Sequence, residues 1–379
     1  MKVAIVHDWL TGMRGGEKCL EVFVRLFPHA DLYTLLHIKN SVSPEIENRK
    51  IEVSFLQNLP FIQSRYRYYL PLMPFAISGF DLRGYDLVLS SSHCVAKAVR
   101  VSPKTLHVCY CHTPMRYIWD QFDQYFARPG SPKLTSLVMK LIAPSLRRWD
   151  VRMNRHVDFF IANSQHVQKR IKKYYGRESS VIYPPVDTDY FKPQKKERGD
   201  FFLILSAFAP YKRVDLAVEA FNKLGYPLVV IGTGQDEERL RRLANKNIQF
   251  KGWLDAEEIR SYLGRCRALI FPGEEDFGIT PVEAQAMGRP VIAYGKGGAL
   301  ETVVASSGRV VGEPLSRSAT GVFFDEPTVN ALVQAVSYFE TIESSFDPDL
   351  IRQHAQKFDT SIFADHIKKF IDQQLSTST

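Results

Sequence analysis

The feature that most constrains the fold is a repeated alternation of short apolar runs with helical stretches. Such runs occupy Val3–Val6, Asp86–Leu89 and Leu106–Tyr110 in the first half of the chain, and Phe201–Leu205 and Ala268–Phe271 in the second. Each has the length of a buried strand, and helices between parallel strands cover both faces of a sheet. The alternation predicts an α/β fold built on doubly wound parallel sheets.

Chain length predicts two domains. The 379 residues exceed what one hydrophobic core usually serves. A proline-rich, charged stretch from Val181 to Asp200 is the best linker, because the strand–helix alternation stops before it and restarts after it. We therefore expect a first domain over 1–186 and a second over 187–356.

Composition narrows the range of partners. Hydrophobic residues make up 45% and charged residues 24% of the chain, as in a soluble globular protein. The first apolar run is too short for a signal-peptide core, and no stretch is long enough to span a bilayer, so we expect a cytoplasmic protein. A net charge of +8 favours an anionic partner. Without a recognition helix or an aromatic RNA-binding motif, nucleic acid is disfavoured relative to phospholipid or a phosphorylated small molecule.

An acidic loop lies between a strand and a helix in the segment Pro272–Gly288, which reads P-G-E-E-D-F-G-I-T-P-V-E-A-Q-A-M-G. Glu275 lies on the loop, at the carboxyl end of a parallel-type strand, where open α/β sheets bind ligands. Thr280, Pro281 and Glu283 match the N-cap, first and third positions of a helix. Two simpler interpretations stay open: Glu283 as a capping-box partner, and Glu275 as a solvated loop acid.

Two further positions suggest anion binding. Lys212 and Arg213 precede a helix predicted from Val214, where the helix dipole makes cations unfavourable unless an anion lies there too. Gly15 and Gly16 separate the first strand from its helix, so their backbone can approach a phosphate or sugar. They match neither the G-x-G-x-x-G nor the P-loop pattern, which disfavours NAD. A solvated lysine and an ordinary glycine turn are the alternatives.

A histidine and an aromatic segment complete the candidates in the first half. His112 follows the strand at Leu106–Tyr110 and therefore lies at the carboxyl edge of the first sheet, although a lone loop histidine is often structural. The segment Phe55–Phe80 interleaves aromatic residues with Arg65 and Arg67, which suits contact with a membrane surface, an oligomer interface or a proline-broken core segment. Five cysteines without C-x-x-C spacing predict no metal site.

Several motifs carry a family resemblance. Besides the segment at 272–288, they are Y-K-R-V-D-L-A-V-E-A-F around Lys212, G-T-G at 232–234, F-K-G-W-L at 250–254 and G-K-G-G-A-L-E-T-V at 295–303. The chain resembles retaining nucleotide-sugar glycosyltransferases of family 4, also called group 1, which have the GT-B fold: two Rossmann-like domains facing across a cleft. H-D-W-L-T-G-M-R-G-G-E-K and C-H-T-P-M-R-Y, both in the first half, are similar to a bacterial polysaccharide-assembly branch.

The resemblance implies roles for named residues. Glu275 is expected to face the donor sugar, Glu283 the ribose, Lys212 the diphosphate, and His112 the sugar and its developing charge. The expected donor-binding set is Gly15, Gly16, Lys212, Arg213, Gly232, Gly252, Trp253, Glu275, Phe277, Gly278, Ile279 and Glu283. The C-terminal helix, about 357–379, is expected to pack back on the first domain.

The resemblance also implies an activity, which is metal-independent transfer of a hexose with retention. The expected donor is GDP-mannose or UDP-glucose, and the acceptor is a carbohydrate or a lipid-linked oligosaccharide, reached on the inner face of the membrane. No cofactor is expected, since the nucleotide sugar is a substrate. One departure is Ala207, where the family commonly has an arginine that clamps phosphate. That departure keeps a non-catalytic nucleotide-sugar-binding subunit open as an alternative, and a GT-B epimerase or phosphorylase is a further one.

Overall fold

The computed structural model describes residues 1–122, 126, 133–194, 197–305 and 318–377. They form two compact units. The N-terminal unit comprises Met1–Pro185 with Ser361–Thr379, and the C-terminal unit comprises Val186–Thr360. Residues 195 and 196 of the expected linker lie outside the described residues.

The N-terminal unit contains a parallel sheet in the order β3-β2-β1-β4-β5-β6-β7. Its strands are β1 Val3–His7, β2 Asp31–Thr34, β3 Ile51–Val53, β4 Leu87–Ser92, β5 Leu106–Cys111, β6 Phe159–Ala162 and β7 Ser179–Val181. The α-helices within Met1–Pro185 are α1 Gly15–Leu26, α2 Pro44–Glu47, α3 Ile62–Arg65, α4 Met73–Ser78, α5 Lys133–Met153 and α6 Gln165–Tyr175. Short 3₁₀ helices lie at Phe55–Asn58, Tyr66–Leu72, Ala96–Ala98 and Asn154–His156.

The C-terminal unit repeats the architecture with the order β10-β9-β8-β11-β12-β13. Its strands are β8 Phe202–Leu205, β9 Leu228–Ile231, β10 Ile248–Gly252, β11 Leu269–Phe271, β12 Val291–Tyr294 and β13 Gly321–Phe324. Its helices are α7 Val214–Leu224, α8 Glu237–Leu243, α9 Ala256–Arg265, α10 Ile279–Ala286, α11 Ala299–Thr302, α12 Val329–Ile342 and α13 Pro348–Ala355. Its 3₁₀ helices are Pro210–Lys212, Glu343–Ser345 and Gln356–Phe358. The next helix, α14 Thr360–Thr377, lies from Ser361 onward in the N-terminal unit.

The predicted α/β class is confirmed, since the strands described pair in parallel in both sheets. Strand order reverses direction between β1 and β4 in the first sheet and between β8 and β11 in the second. Loops leave the two strands of such a pair toward opposite sides, and the crevice at their carboxyl ends is the usual ligand site. Among the helices described, none has the length and hydropathy that crossing a bilayer requires.

The last helix belongs to the core of the N-terminal unit. Phe363, Ile367 and Ile371 recur on one face of α14 and are buried. The ring of Phe363 packs against Phe23 of α1 at 5.7 Å and against Tyr110 of β5 at 5.5 Å between centroids. The N-terminal unit is therefore discontinuous in sequence, because its core needs residues that follow the whole C-terminal unit.

We expect Phe363→Ala to lower the free energy of unfolding of the N-terminal unit by about 3–5 kcal/mol, as for other buried aromatic deletions. Ile362→Ala, at a neighbouring exposed position of the same helix, should change it by less than about 0.5 kcal/mol. Urea denaturation followed by amide hydrogen exchange measures both and assigns the loss to one unit. Equal effects of the two substitutions would contradict the packing of α14.

Candidate functional site

The C-terminal unit brings a lysine and a glutamate together at its switch point. β8 and β11 are neighbours in the sheet, and the loop after each leads into α7 and α10 respectively. Lys212 ends the first loop, Glu275 lies in the second, and Lys212 Nζ is 2.5 Å from Glu275 Oε2. Both side chains are about one-fifth exposed, at 17% and 20%. The two charges that the sequence singled out therefore form one partly buried ion pair.

Close backbone contacts bring the two loops together. A Cβ on Gly273 would lie 2.8 Å from the carbonyl oxygen of Tyr211 and 2.9 Å from Lys212 Cα, closer than real Cβ atoms approach. On its other side the loop meets the segment before α11, where Gly298 N donates a hydrogen bond of 2.8 Å to the carbonyl oxygen of Glu275. Glycine is needed at 273 because any side chain would separate the loops.

Arg213 holds an uncommon backbone conformation beside the ion pair. Its φ of +51° lies in the left-handed region, which bulky residues seldom adopt, and the turn leads from the 3₁₀ helix directly into α7. Its Nε donates to Asp215 Oδ1 at 3.3 Å. Arg213, one of the two residues expected to bind an anion, therefore already contacts a carboxylate, while Ala207 lies exposed on the same loop.

The predicted start of α10 is wrong. The helix begins at Ile279 rather than at Pro281, and its N-cap is Gly278 with φ +92° rather than Thr280. Proline is tolerated at the third position because the first N–H groups of a helix have no intrahelical acceptor. Glu283 consequently lies in the second turn, outside any capping box, with its side chain buried.

Several predicted donor-binding residues lie at the carboxyl ends of neighbouring strands. Gly232 follows β9 with φ +136°, and its N–H donates to the carbonyl oxygen of Gly252, the last residue of β10, at 2.9 Å. Trp253 follows and is 78% exposed, an unusual position for so large an apolar ring. Phe277 is buried against Phe358, with 5.6 Å between ring centroids.

The predicted residues of the N-terminal unit also come together. Gly15 and Gly16 begin α1, after β1. A Cβ on Gly16 would lie 3.4 Å from His7 Cε1 and 3.7 Å from His112 Nε2, so the glycine backbone lies against both rings. His112 is half-buried and its Nε2 is 2.8 Å from Ser91 Oγ of β4.

A buried carboxylate fixes the end of β4 next to these rings. Asp8 accepts backbone hydrogen bonds of 2.6–2.9 Å from the four consecutive residues His93, Cys94, Val95 and Ala96. Burial lowers the pKa of His93 to about 3, so the ring of His93 is neutral at physiological pH. One carboxylate therefore fixes the backbone at the switch point of the first sheet, because it accepts the hydrogen bonds that four amides would otherwise donate to water.

Glu17 adds a second buried acid to this edge. Burial raises the pKa of its carboxyl, but its interactions with the imidazoles of His7 and His93 and with a backbone N–H outweigh burial, so the pKa is below its ordinary value. Sequence patterns alone predicted no role for His7, Asp8, Glu17 or Ser91. A signal was present: His7 and Asp8 are polar residues directly after the apolar run Val3–Val6, at the edge of the sheet where ligands bind.

Among the described residues, no group of three or more histidine, cysteine, aspartate and glutamate side chains is arranged to hold a metal ion.

Two family models match the chain. Residues 186–357 match the model described as glycosyl transferases group 1, and residues 38–190 match the model of glycosyltransferase family 4. The first match includes Lys212, Glu275 and Glu283, and the second includes His112.

Individual proteins that are similar to this chain are also named as glycosyltransferases. The chain is 29% identical over 175 residues to O-antigen chain mannosyltransferase C of Escherichia coli, covering 41% of this chain and 46% of the relative. It is 29% identical over 199 residues to a GDP-mannose-dependent monoacylated α-(1-6)-phosphatidylinositol monomannoside mannosyltransferase of Corynebacterium glutamicum, covering 44% and 52%. The chain thus spans about half the length of the curated relatives it matches.

One solved structure shows the fold over nearly the whole chain. HepE of Anabaena, solved in complex with UDP-glucose, superposes with a TM-score of 0.70 at 16% identity, covering 98% of this chain and 100% of the other. At that identity the likeness concerns the fold alone.

We expect Gly298→Ala to destabilise the C-terminal unit by about 1–3 kcal/mol or more, because the added Cβ would collide with the backbone of Phe277. Gly84→Ala, where a Cβ meets nothing within 4 Å, should change stability by less than about 0.5 kcal/mol. Urea denaturation of the ligand-free variants measures the difference. An unchanged Gly298→Ala variant would show that the loops do not depend on this contact.

Proposed function

The chain belongs to the group 1 glycosyltransferase family, and on that premise we propose that it transfers a hexose from a nucleoside-diphosphate sugar to a carbohydrate or lipid-linked oligosaccharide acceptor. The expected setting is polysaccharide biosynthesis at the cytoplasmic face of a membrane. The observation that carries the proposal is the ion pair of Lys212 and Glu275 at the β8–β11 switch point, inside the region that matches the group 1 model.

The ion pair suits a diphosphate next to a sugar. The ammonium of Lys212 supplies the positive charge that stabilises a diphosphate leaving group, and the first N–H groups of α10 add a second anion-binding element. Glu275 accepts hydrogen bonds from sugar hydroxyls and, by pairing with Lys212, holds the ammonium in place when no donor is bound. The backbone of Phe277, Gly278 and Ile279 lies beside both groups along the chain.

The remaining donor contacts divide between the nucleoside and the second phosphate. Glu283 binds the ribose hydroxyls, and Gly232, Gly252 and Trp253 form the nucleoside end, where the exposed indole offers a stacking surface for a base. In the N-terminal unit, Gly15 and Gly16 offer backbone N–H groups to phosphate. His112 positions the sugar and stabilises charge at its anomeric carbon.

Retention is the stereochemistry that the family resemblance implies, and none of the carboxylates assigned to the site is an evident covalent nucleophile. Glu275 is the carboxylate assigned to the sugar, and it is held by Lys212 rather than presented as a free nucleophile. We therefore favour displacement from the front side, in which the departing diphosphate accepts the proton of the acceptor hydroxyl. No step needs a metal ion, so chelation with EDTA should leave turnover unchanged.

GDP-mannose is the preferred donor, with UDP-glucose as the alternative. Three relatives that match at 28–29% identity are named as mannosyltransferases, and two of these are named as GDP-mannose-dependent. The structure with UDP-glucose resembles this chain at 16% identity, where only the fold is comparable.

A second candidate is a nucleotide-sugar-binding subunit with little turnover. Two observations favour it: position 207 carries alanine, and Arg213 is already paired with Asp215. A weaker clamp on the leaving group would affect the chemical step more than ground-state binding.

The decisive experiment is calorimetric binding of UDP, GDP and ADP, followed by nucleotide release from the matching sugars. We expect micromolar binding of one nucleotide, and at least tenfold lower turnover in Glu275→Ala and Lys212→Ala, about 1.4 kcal/mol at the barrier. Glu274→Ala, at the exposed neighbouring acid, is the matched control and should keep turnover. Binding without turnover would favour the second candidate, and no binding would remove both.

The segment Phe55–Phe80 supports contact with a membrane surface. One face of the segment is buried in the core, as expected for a proline-broken core segment; its residues are Ile62, Tyr66, Leu70, Met73 and Ile77. The other face exposes Phe61, Tyr68 and Phe75 by 72%, 68% and 70%, with the exposed Arg65 and Arg67 between them. Large apolar rings interleaved with arginines suit an interface with anionic lipid.

We expect the protein to co-sediment with liposomes that contain anionic lipid. The double variant that carries Phe61→Ser and Phe75→Ser should no longer co-sediment. Leu350→Ser, at a partly exposed leucine of the C-terminal unit, is the control and should bind as before. Absence of sedimentation with both anionic and neutral liposomes would contradict the membrane contact.

A further inference from the structure

A chain of polar side chains connects His112 to a buried carboxylate. Ser91 Oγ lies 2.8 Å from His112 Nε2 and 3.0 Å from His7 Nδ1. His7 Nε2 lies 3.7 Å from Glu17 Oε1 and makes no hydrogen bond to any described residue. Apart from His112, all of these side chains are buried. The order Glu17, His7, Ser91, His112 therefore runs from the interior to a half-buried ring beside Gly16.

Packing alone does not account for this arrangement. Burying polar side chains is unfavourable unless they are paired, and apolar residues would fill the same volume. β4 offers a comparison, because Ser90 Oγ lies 2.8 Å from His107 Nε2 and His107 Nδ1 lies 2.6 Å from the carbonyl oxygen of His156. That pair ends within the core, whereas the chain through Ser91 ends at His112.

The protons available on these groups determine which one donates and which one accepts at each hydrogen bond. A serine hydroxyl has one proton, so Ser91 donates to one imidazole nitrogen and accepts from the other. Glu17 carries a negative charge at neutral pH, since its pKa is below the ordinary value. That charge favours a proton on the facing nitrogen of His7, Nε2. In neutral His7 the other nitrogen, Nδ1, then accepts from Ser91, and Ser91 accepts from His112 Nε2–H.

We propose that Glu17 and His7, acting through Ser91, hold His112 in the tautomer that is protonated at Nε2. Glu17, His7 and Ser91 are positioning residues. The tautomer of His112 does not depend on the proposed glycosyltransferase function; only the expected loss of turnover rests on it. With the Nε2 proton committed to Ser91, Nδ1 becomes the accepting nitrogen of the ring. An accepting nitrogen suits a sugar hydroxyl that donates, and this is how His112 would position the donor sugar.

Other charged or titratable groups surround the chain. Asp8 is satisfied by four amides, and His93, neutral with a pKa of about 3, lies with its ring 6.0 Å from that of His7 and 6.3 Å from that of His112. The ring of Tyr110 lies 5.1 Å from that of His112. Arg14 and Arg116 act on His93 electrostatically. Among the groups named here, Glu17 is the carboxylate that faces His7 Nε2.

The test is a two-bond ¹⁵N–¹H correlation spectrum of the full chain labelled at histidine, with His112 assigned from His112→Gln. We expect His112 to be protonated at Nε2 in the wild type and in Ser91→Thr, which keeps the hydroxyl. Ser91→Ala should lose this single tautomer and lower kcat at least tenfold, with nucleotide affinity unchanged. Ser90→Ala, the matched control on the same strand, should alter His107 and leave the spectrum of His112 as it was.

Glu17→Gln provides an independent test if Ser91→Ala fails to fold. Its amide oxygen can still accept the hydrogen bond that Arg14 N donates to Glu17 at 3.0 Å, while the negative charge is lost. We expect its spectrum to show a mixture of His112 tautomers. An unchanged His112 spectrum in Glu17→Gln or in Ser91→Ala overturns the inference. If no nucleotide sugar is turned over but the spectra change as expected, the proposed function fails and the positioning chain stands.

Discussion

The candidate donor site depends on backbone segments that touch each other where side chains would separate them. The loop after β11 packs through Gly273 against Tyr211 and Lys212 on one side and through Glu275–Phe277 against Gly298 on the other. The position of Glu275 relative to Lys212 is therefore fixed by main-chain contact, and the ion pair follows from it. Electrostatic attraction between two partly exposed charges would not be strong enough to impose that geometry.

A different constraint organises the N-terminal edge. There a single carboxylate, Asp8, satisfies four consecutive amides that would otherwise lose their hydrogen bonds on burial. The backbone after β4 is thereby fixed close to His7 and Ser91, which are register partners in β1 and β4. The two sheets thus share a topology, but glycine contacts shape the switch point in one and a buried acid shapes it in the other.

Buried strands were predictable because their apolar runs are continuous: the runs at Val3–Val6, Leu106–Tyr110 and Phe201–Leu205 coincide with β1, β5 and β8. The predicted helix start at Thr280 was wrong because Thr-Pro-x-Glu imitates a cap, whereas the left-handed Gly278 sets the true start. His112 was found from its place after a strand. Its partners were not, since His7 and Ser91 meet through strand pairing across 84 residues of sequence, which local pattern does not reveal.

The place of α14 has a consequence for synthesis on the ribosome. Phe23 and Tyr110 emerge early, but Phe363, which covers them, follows the whole of Val186–Thr360. At ~5–20 residues per second, an apolar surface of the first unit stays uncovered for tens of seconds. The second unit, contiguous in sequence, can finish folding first. A nascent chain of this kind would expose a binding surface for chaperones until its last helix arrives.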